Sequence, residues 1–384
     1  MTFSIFVAHP SALLTDHEPH GDGLVAHGFI QGLAARNHVL HVAAQRVSLQ
    51  HDLPPNVHVH ELGESSLPEP LPRLEYMRRM RRLFVRLRRT TRFDLVHQLN
   101  PVDVGLSLAL PEVGVPVVLG PYVPAWPPGG STRERVIRGL VDDVRVVVRA
   151  AQQQRATVVL LSTPAAASRL RNPPSRGLLV RELSPGIDER AWRPCDREAP
   201  GQDVLFLANL EPRKGILVLL DAFAGLIEEL PKARLLVAGD GSQAEVVRRR
   251  LSRSPLLRRV ELLGHVTREE TPILMGRCAV YCLPSFGEPF GMTALEAMAC
   301  GRALVVTDTG GLGQLVDERG GRRVPPGDAR ALAGALRELL IAPQLRRQMG
   351  SYNRMVVERR YGWERVIDRL EGIYSEAVAA PRVR

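Results

Sequence analysis

Cysteine, aromatic residues and long apolar runs are all scarce in this chain, and each scarcity removes a class of protein. Four cysteines in 384 residues, Cys195, Cys278, Cys282 and Cys300, make no disulfide framework. No histidines or further cysteines stand near them at zinc-ligand spacing, so they are expected to pack in and beside a core strand, and no metal is expected. No apolar run reaches the roughly 18 residues of a spanning helix. Met1 to Ala8 lack a basic start followed by a long apolar stretch, so a cytoplasmic location is expected. No glycine-rich loop ends in Lys-Ser or Lys-Thr, which excludes a P-loop, and no Ser/His/Asp set at recognisable spacing points to hydrolysis. Aromatics make up 5% of the chain and do not interleave with its basic residues, so nucleic acid is not an expected partner.

What is present is an ordinary globular composition, 45% hydrophobic and 24% charged, with a net charge of +10 that implies anionic company. Short apolar strands alternate with amphipathic helical stretches from end to end, the pattern of parallel sheets with crossover helices. The first half reads as strands near Phe3–Ala8, Val39–Ala43, Leu95–His97, Val115–Leu119, Val158–Ser162 and Gly177–Val180, with helices at Gly23–Ala35 and Leu74–Arg89. The second reads as strands near Val204–Ala208, Ala233–Ala238, Val260–Leu263, Ala279–Leu283, Ala303–Thr307 and Gly321–Val324, with helices at Ile216–Glu229 and Met292–Ala299. The fold class is α/β, with two Rossmann-like doubly wound domains. Their seam is the Pro- and charge-rich stretch from Trp192 to Gly201, so the boundary is placed between 195 and 196, and a cleft between the domains is the expected site.

The stretch from Ser285 to Ala299 carries the densest chemistry. Pro289 and Gly291 disfavour helix, while Met292 to Ala299 favour it, which puts Glu288 on the entry loop and Glu296 about a turn inside. The free amides of a first helical turn form an anion site between two carboxylates able to hold hydroxyls. That layout suits a sugar joined to a diphosphate. Arg213 and Lys214 follow another strand and either counter phosphate charge or form a solvated turn. Gly21 and Gly23 lie too far past the first strand for a dinucleotide fingerprint; they open a helix or line the cleft. His9 and His97 end strands, each as a cleft-facing base or polar contact, or as a core histidine. Arg73 to Arg92 form a basic amphipathic helix, either a surface helix or, through Arg78, Arg79, Arg81 and Arg82, a contact with an anionic membrane.

With these residues in view, the chain resembles the retaining glycosyltransferases of family 4, which have the two-domain GT-B architecture. The resemblance rests on Glu288-Pro-Phe-Gly-Met-Thr-Ala-Leu-Glu296, supported by Arg213-Lys-Gly215, Gly239-Asp-Gly241, Leu263-Gly-His-Val266, Thr309-Gly-Gly311 and Tyr361-Gly-Trp-Glu364. It implies an N-terminal acceptor-binding domain over 1–195, a C-terminal nucleotide-sugar-binding domain over 196–360, and a helix over 361–384 that crosses back to the first. It implies Glu288 at the reacting sugar, with His97 an acceptor-side candidate. Arg213, Lys214, Gly241, His265, Val266, Phe290, Gly291, Met292, Thr293 and Glu296 would bind the donor, Glu296 at the ribose. Gly21, Gly23 and His9 would line the acceptor side. Asn209 stands where the family usually has an arginine, leaving Arg213 to substitute or the diphosphate to be held more weakly.

The expected activity is retaining, metal-independent transfer of a hexose or N-acetylhexosamine from a nucleotide diphosphate sugar, most simply a UDP-sugar, to an acceptor hydroxyl, with no cofactor beyond that co-substrate. The alternatives are a nucleotide-sugar epimerase of the same fold and a non-enzymatic adaptor at anionic membranes.

Overall fold

The computed structural model describes every residue except 10, 19, 65–70, 100–104, 112–113, 125–131, 172–176, 195–200 and 381–384, and of 132–143 the backbone only. Cys195 and the rest of 195–200 within the seam segment lie outside the described residues. Two compact units emerge: Met1–Gly186 with Trp363–Arg384, and Ile187–Gly362. The division falls ahead of the boundary read at 195/196 because Ile187 and Trp192 are buried in the second unit's core, and Ile187 bridges to Gly362.

The first unit contains strands β1 (Ser4–Val7), β2 (Leu13–Thr15), β3 (Val39–Ala44), β4 (Arg46–Ser48), β5 (Val57–Glu61), β6 (Leu95–Gln98), β7 (Val117–Tyr122), β8 (Val158–Leu161) and β9 (Leu179–Glu182). Helices α1 (Gly21–Ala35), α2 (Leu71–Leu87) and α3 (Thr132–Arg155) intervene. Its main sheet runs β5-β3-β1-β6-β7-β8-β9, and every neighbouring pair is parallel. A parallel sheet is covered on both faces, which is why its inner strands β1, β7 and β8 are apolar rather than alternating. In β1, Ile5 and Val7 join the core formed with α1, while Phe6 joins the core formed with α2. The edge strand β5 was not read from the sequence, because Val57-His-Val-His-Glu is no apolar run.

The second unit contains β10 (Asp203–Leu207), β11 (Arg234–Ala238), β12 (Val260–Gly264), β13 (Val280–Leu283), β14 (Ala303–Thr307) and β15 (Gly321–Val324). Its helices are α4 (Ile216–Ala224), α5 (Ala244–Ser252), α6 (Glu270–Arg277), α7 (Met292–Ala299), α8 (Leu312–Leu315), α9 (Ala329–Ile341) and α10 (Pro343–Arg360). The sheet order is β12-β11-β10-β13-β14-β15, again all parallel, around one contiguous core. Helix α4 stops at Ala224, short of the expected Glu229, with Gly225 at its C-cap. The order reverses between β10 and β13, and such a switch point leaves a crevice at the strands' carboxyl ends where open α/β sheets bind ligands.

The last helix, α11 (Trp363–Ala379), belongs to the first unit. It packs on α1 through a groove made by two glycines. A Cβ on Gly28 would lie 2.0 Å from the Trp363 ring, and one on Gly32 2.5 Å from Ile367. Phe29 meets Trp363 edge-on at 5.1 Å. Any side chain at either glycine pushes α11 off the sheet.

Candidate active site

Four loops at the carboxyl ends of the second unit's strands are locked together by glycines. After β10, Gly215 has φ +74°, and a Cβ there would sit 2.0 Å from the Pro284 carbonyl oxygen. The amide of Phe286 donates to the Arg213 carbonyl at 2.8 Å, so the Arg213–Gly215 turn is fastened to the segment after β13. After β14, a Cβ on Gly310 would lie 2.4 Å from the Glu288 carbonyl oxygen and one on Gly311 2.2 Å from that of Pro289. The Gly311 amide donates to the Glu288 carbonyl at 2.8 Å. Glu288 is thus held from both sides by backbone that only glycine permits.

Lys214 meets Glu288 at this junction, where its ammonium is paired with Glu288 Oε2. The two side chains are only 12% and 11% exposed, so the pair is largely withdrawn from water. Arg213 Nη1 lies 3.9 Å from the same oxygen, while its Nε donates to Glu211 Oε2 at 2.7 Å. Lys214 is one of two lysines in a chain with 51 basic residues. An ammonium is a compact point charge where guanidinium is a planar fork, so in an arginine-dominated sequence this lysine marks a place where the fork does not serve.

Helix α7 begins beside this pair. Gly291 is its N-cap with φ +95°, no side chain caps it, and a Cβ there would meet Leu312 at 2.5 Å. The first-turn amides, including those of Met292 and Thr293, have no partner within the helix and carry the positive end of its dipole. Phe290 is buried, 6.2 Å from Tyr361 in an edge contact, so its ring serves packing and only its backbone lines the loop. Glu296 follows one turn later, partly buried. Desolvation pushes its carboxyl up to about 7, against the opposing charge of Arg268.

The turn after β11 completes this edge of the sheet. Gly239 has φ +132°, and a Cβ there would be 2.0 Å from the Ala208 carbonyl oxygen; Leu210 donates to the Asp240 carbonyl at 2.9 Å. Gly241 therefore sits against the loop after β10. Gly239 also donates to the Gly264 carbonyl at 2.7 Å, and beyond it His265 is exposed and Val266 half-buried. Asn209 is exposed in the same loop set. The sequence-derived donor residues thus share one edge of one sheet.

In the first unit both strand-end histidines are buried, the core alternative of the two that the sequence left open. His97 is 1% exposed and both ring nitrogens are engaged: Nδ1 accepts from the Tyr374 hydroxyl at 2.6 Å, and Nε2–H donates to the Gly120 carbonyl at 2.8 Å. Burial pulls its pKa down to about 4, so it stays neutral with no lone pair to spare. His9 is likewise buried, its Nδ1 3.2 Å from the Tyr76 hydroxyl. Gly21 faces open space, whereas Gly23 packs on the Leu13 carbonyl and gives its amide to His20 Nδ1 at 3.1 Å. On α2, Arg79 is tied to the Leu62 carbonyl at 2.6 Å and paired with Glu75, so it leaves the expected membrane set; Arg78, Arg81 and Arg82 are exposed.

Among the described residues no group of three His, Cys, Asp or Glu is placed to hold a metal ion, and no helix is long and apolar enough to cross a membrane. Cys278, Cys282 and Cys300 are buried free thiols, which burial keeps protonated.

Comparison with known proteins places the chain. Residues 196–356 match the family model for glycosyl transferases group 1. The chain is 37% identical over 178 residues to phosphatidyl-myo-inositol mannosyltransferase of Mycobacterium leprae, covering 46% of each protein. It is 36% identical over 225 residues to D-inositol 3-phosphate glycosyltransferase of Saccharomonospora viridis, covering 53% of this chain and 51% of that one. The chain spans about half the length of the curated relatives it matches. Among solved structures it superposes on sucrose-phosphate synthase from Thermosynechococcus elongatus with TM-score 0.73 and 22% identity, over 98% of this chain and 99% of that one. It superposes on Anabaena HepE in complex with UDP with TM-score 0.76 and 19% identity, over 97% and 100%. The likeness to the glycosyl transferases group 1 thus lies in the second unit, while the likeness to these solved structures, which have the GT-B fold, extends over nearly the whole chain.

Proposed function

We propose that the chain is a retaining glycosyltransferase that moves a hexose or N-acetylhexosamine from a nucleotide diphosphate sugar, with uridine diphosphate as carrier, to an acceptor hydroxyl. The observation that carries this reading is the meeting of Lys214 with Glu288 beside the uncapped start of α7, at the sheet's switch point. Relatives named mannosyltransferase and glycosyltransferase support sugar transfer, and the structures of Anabaena HepE in complex with UDP and with UDP-glucose support the carrier.

In this reading a donor diphosphate takes Lys214 from Glu288 and meets the amides of Met292 and Thr293. Positive groups fixed at the leaving phosphate stabilise the charge that builds there as the glycosidic bond breaks. Glu288, released from the ammonium, accepts hydrogen bonds from the sugar hydroxyls and sits at the reacting centre. Glu296 holds the ribose; a ribose hydroxyl can pair with its carboxyl in either protonation state. The acceptor hydroxyl attacks from the face the phosphate leaves, and that phosphate takes the acceptor's proton, so no side-chain base is required.

The test is a thermal-shift screen of nucleotide sugars and free nucleotides, since a ligand that binds only the folded form raises its melting temperature. The reading expects UDP and one UDP-sugar to raise it, followed by release of UDP that depends on an acceptor. Conversion of the nucleotide sugar without an acceptor would point to an epimerase. No response to any nucleotide removes the transferase reading.

A second reading, compatible with the first, concerns α2. Arg78, Arg81 and Arg82 are exposed on it together with Leu71 at 44%, Leu74 at 56% and Val85 at 41%. Exposed apolar side chains among arginines suit an anionic lipid surface. Binding to anionic but not neutral vesicles, lost on neutralising the three arginines, is the expected result; a wild-type protein that ignores anionic vesicles ends this reading.

A further inference from the structure

Beneath the proposed diphosphate site lies a buried phenol that the donor contacts so far described do not use. Tyr281 is the second residue of β13 and is fully buried. Its hydroxyl lies 2.6 Å from Thr293 Oγ1, on the first turn of α7, and 3.3 Å from the Leu207 carbonyl oxygen at the end of β10. It therefore joins the two strands flanking the switch point and the helix that opens above them. Thr293 is half-buried, so one side of its hydroxyl meets Tyr281 while the residue keeps a face at the surface.

A phenol has one proton to donate, and burial keeps it on the oxygen by driving its titration well upward. Two arrangements follow. If Tyr281 donates to the Leu207 carbonyl, its oxygen accepts the proton of Thr293, and Thr293 turns only lone pairs toward the site. If Tyr281 donates to Thr293, the proton of Thr293 is released to point outward. Phosphate oxygens accept and never donate when ionised, so a bound diphosphate selects the second arrangement. The shorter contact to Thr293 favours it too.

We infer that Tyr281 and Thr293 form a hydroxyl relay that gives the diphosphate one further hydrogen-bond donor at the start of α7, with Tyr281 as a positioning residue beneath it. The inference rests on the donor-site reading above. No bond is made or broken beyond the reorientation of two O–H groups. The relay adds discrimination for the phosphates rather than for the nucleoside, because Thr293 sits at the helix start and not at the base-reading edge.

The experiment is calorimetry with UDP, GDP, uridine and guanosine on the wild type and on Tyr281→Phe, Thr293→Val, Thr293→Ser and the Tyr281→Phe/Thr293→Val double variant. Loss of one hydrogen bond of this kind corresponds to roughly a three- to tenfold weakening. Tyr281→Phe and Thr293→Val should each weaken the preferred diphosphate by about that factor. The matching nucleoside should be unaffected, Thr293→Ser should recover most of the affinity that Thr293→Val loses, and the double variant should be no weaker than Thr293→Val. If diphosphate and nucleoside weaken together, if the two single effects add, or if Tyr281→Phe binds as wild type, the relay is wrong while the donor site stands. Thr293→Val, on a half-buried helix position, decides the matter should Tyr281→Phe fail to fold. A wild type that binds neither UDP nor GDP removes the donor reading itself, and the relay with it.

Discussion

Lys214 and Glu288 are 74 positions apart in the chain, yet their charged groups are paired in a largely dry junction between two backbone turns. A buried pair of this kind is costly to leave half-made, because the surviving charge keeps its desolvation penalty without its partner. It is therefore poised for exchange: an entering anion can replace Glu288 as the partner of Lys214, and hydroxyl groups can replace Lys214 as the partner of Glu288.

Lys214→Ala should weaken binding of a nucleoside diphosphate by at least about tenfold, the scale of a charge-assisted hydrogen bond to phosphate. Lys214→Arg should not restore it, since a fork cannot occupy the position of a point charge locked between Gly215 and Glu288. Calorimetry with UDP reads both, and an unchanged affinity would take Lys214 out of the site.

Glu288→Gln should abolish sugar transfer while leaving nucleotide binding within a few-fold of wild type, because the carboxylate acts on the sugar and the reacting centre. Steady-state rates with the matched donor and acceptor test this. Turnover near the wild-type rate would show that Glu288 only anchors Lys214.

Glu296→Gln should change how stability depends on pH. A carboxyl raised to about 7 in the folded protein lies above its unfolded value, so its contribution favours folding at low pH and is lost as pH rises through that range. The isosteric amide removes this loss. The melting temperature of Glu296→Gln should exceed that of the wild type at pH 8 by a few degrees and approach it at pH 5, as read by calorimetric scans. The same variant should bind UDP less tightly if the carboxylate holds the ribose.

Tyr374→Phe should act on the fold of the first unit alone. It removes the donor to His97 Nδ1 and leaves a buried acceptor unsatisfied, which costs about 1–3 kcal/mol. Urea denaturation measures the loss, and UDP affinity should stay at the wild-type value. Because the folded pKa of His97 is depressed from the ordinary 6.5 to about 4, the stability linked to its neutral form is present above pH 6.5 and disappears as pH falls toward 4. His97→Gln should flatten that part of the profile.

Gly310→Ala should destabilise the second unit by several kcal/mol, because the new Cβ would lie 2.4 Å from the Glu288 carbonyl and the residue is held at φ +49°. A folded, fully active Gly310→Ala would mean that the loop after β14 does not hold Glu288 in place.

Local chemistry alone was enough for the apolar strands of the two main sheets and for the start of α7, though not for the short strands β2 and β4 or the polar edge strand β5. Buried parallel strands are apolar on both faces, and Gly291 before a run of helix formers admits one reading, so Met292–Ala299 was legible to the residue. The paired glutamates, the basic turn and the glycine turns were legible for the same reason, since each depends on a few neighbouring residues. What the chain could not reveal along its length were relations between distant residues. Whether His97 faced solvent or core depended on Tyr374, which lies 277 positions away on the returning helix. The end of the first unit depended on where Ile187 and Trp192 found apolar neighbours, not on the proline-rich look of the segment after them. The pairing of Lys214 with Glu288, and the glycine contacts that fix it, exist only because β10 and β13 become neighbours at the switch point. Sequence sets what each segment can be, through local sterics and hydrophobic period; the tertiary structure decides which charges and hydroxyls meet, because burial and contact are properties of segments brought together and not of any one of them.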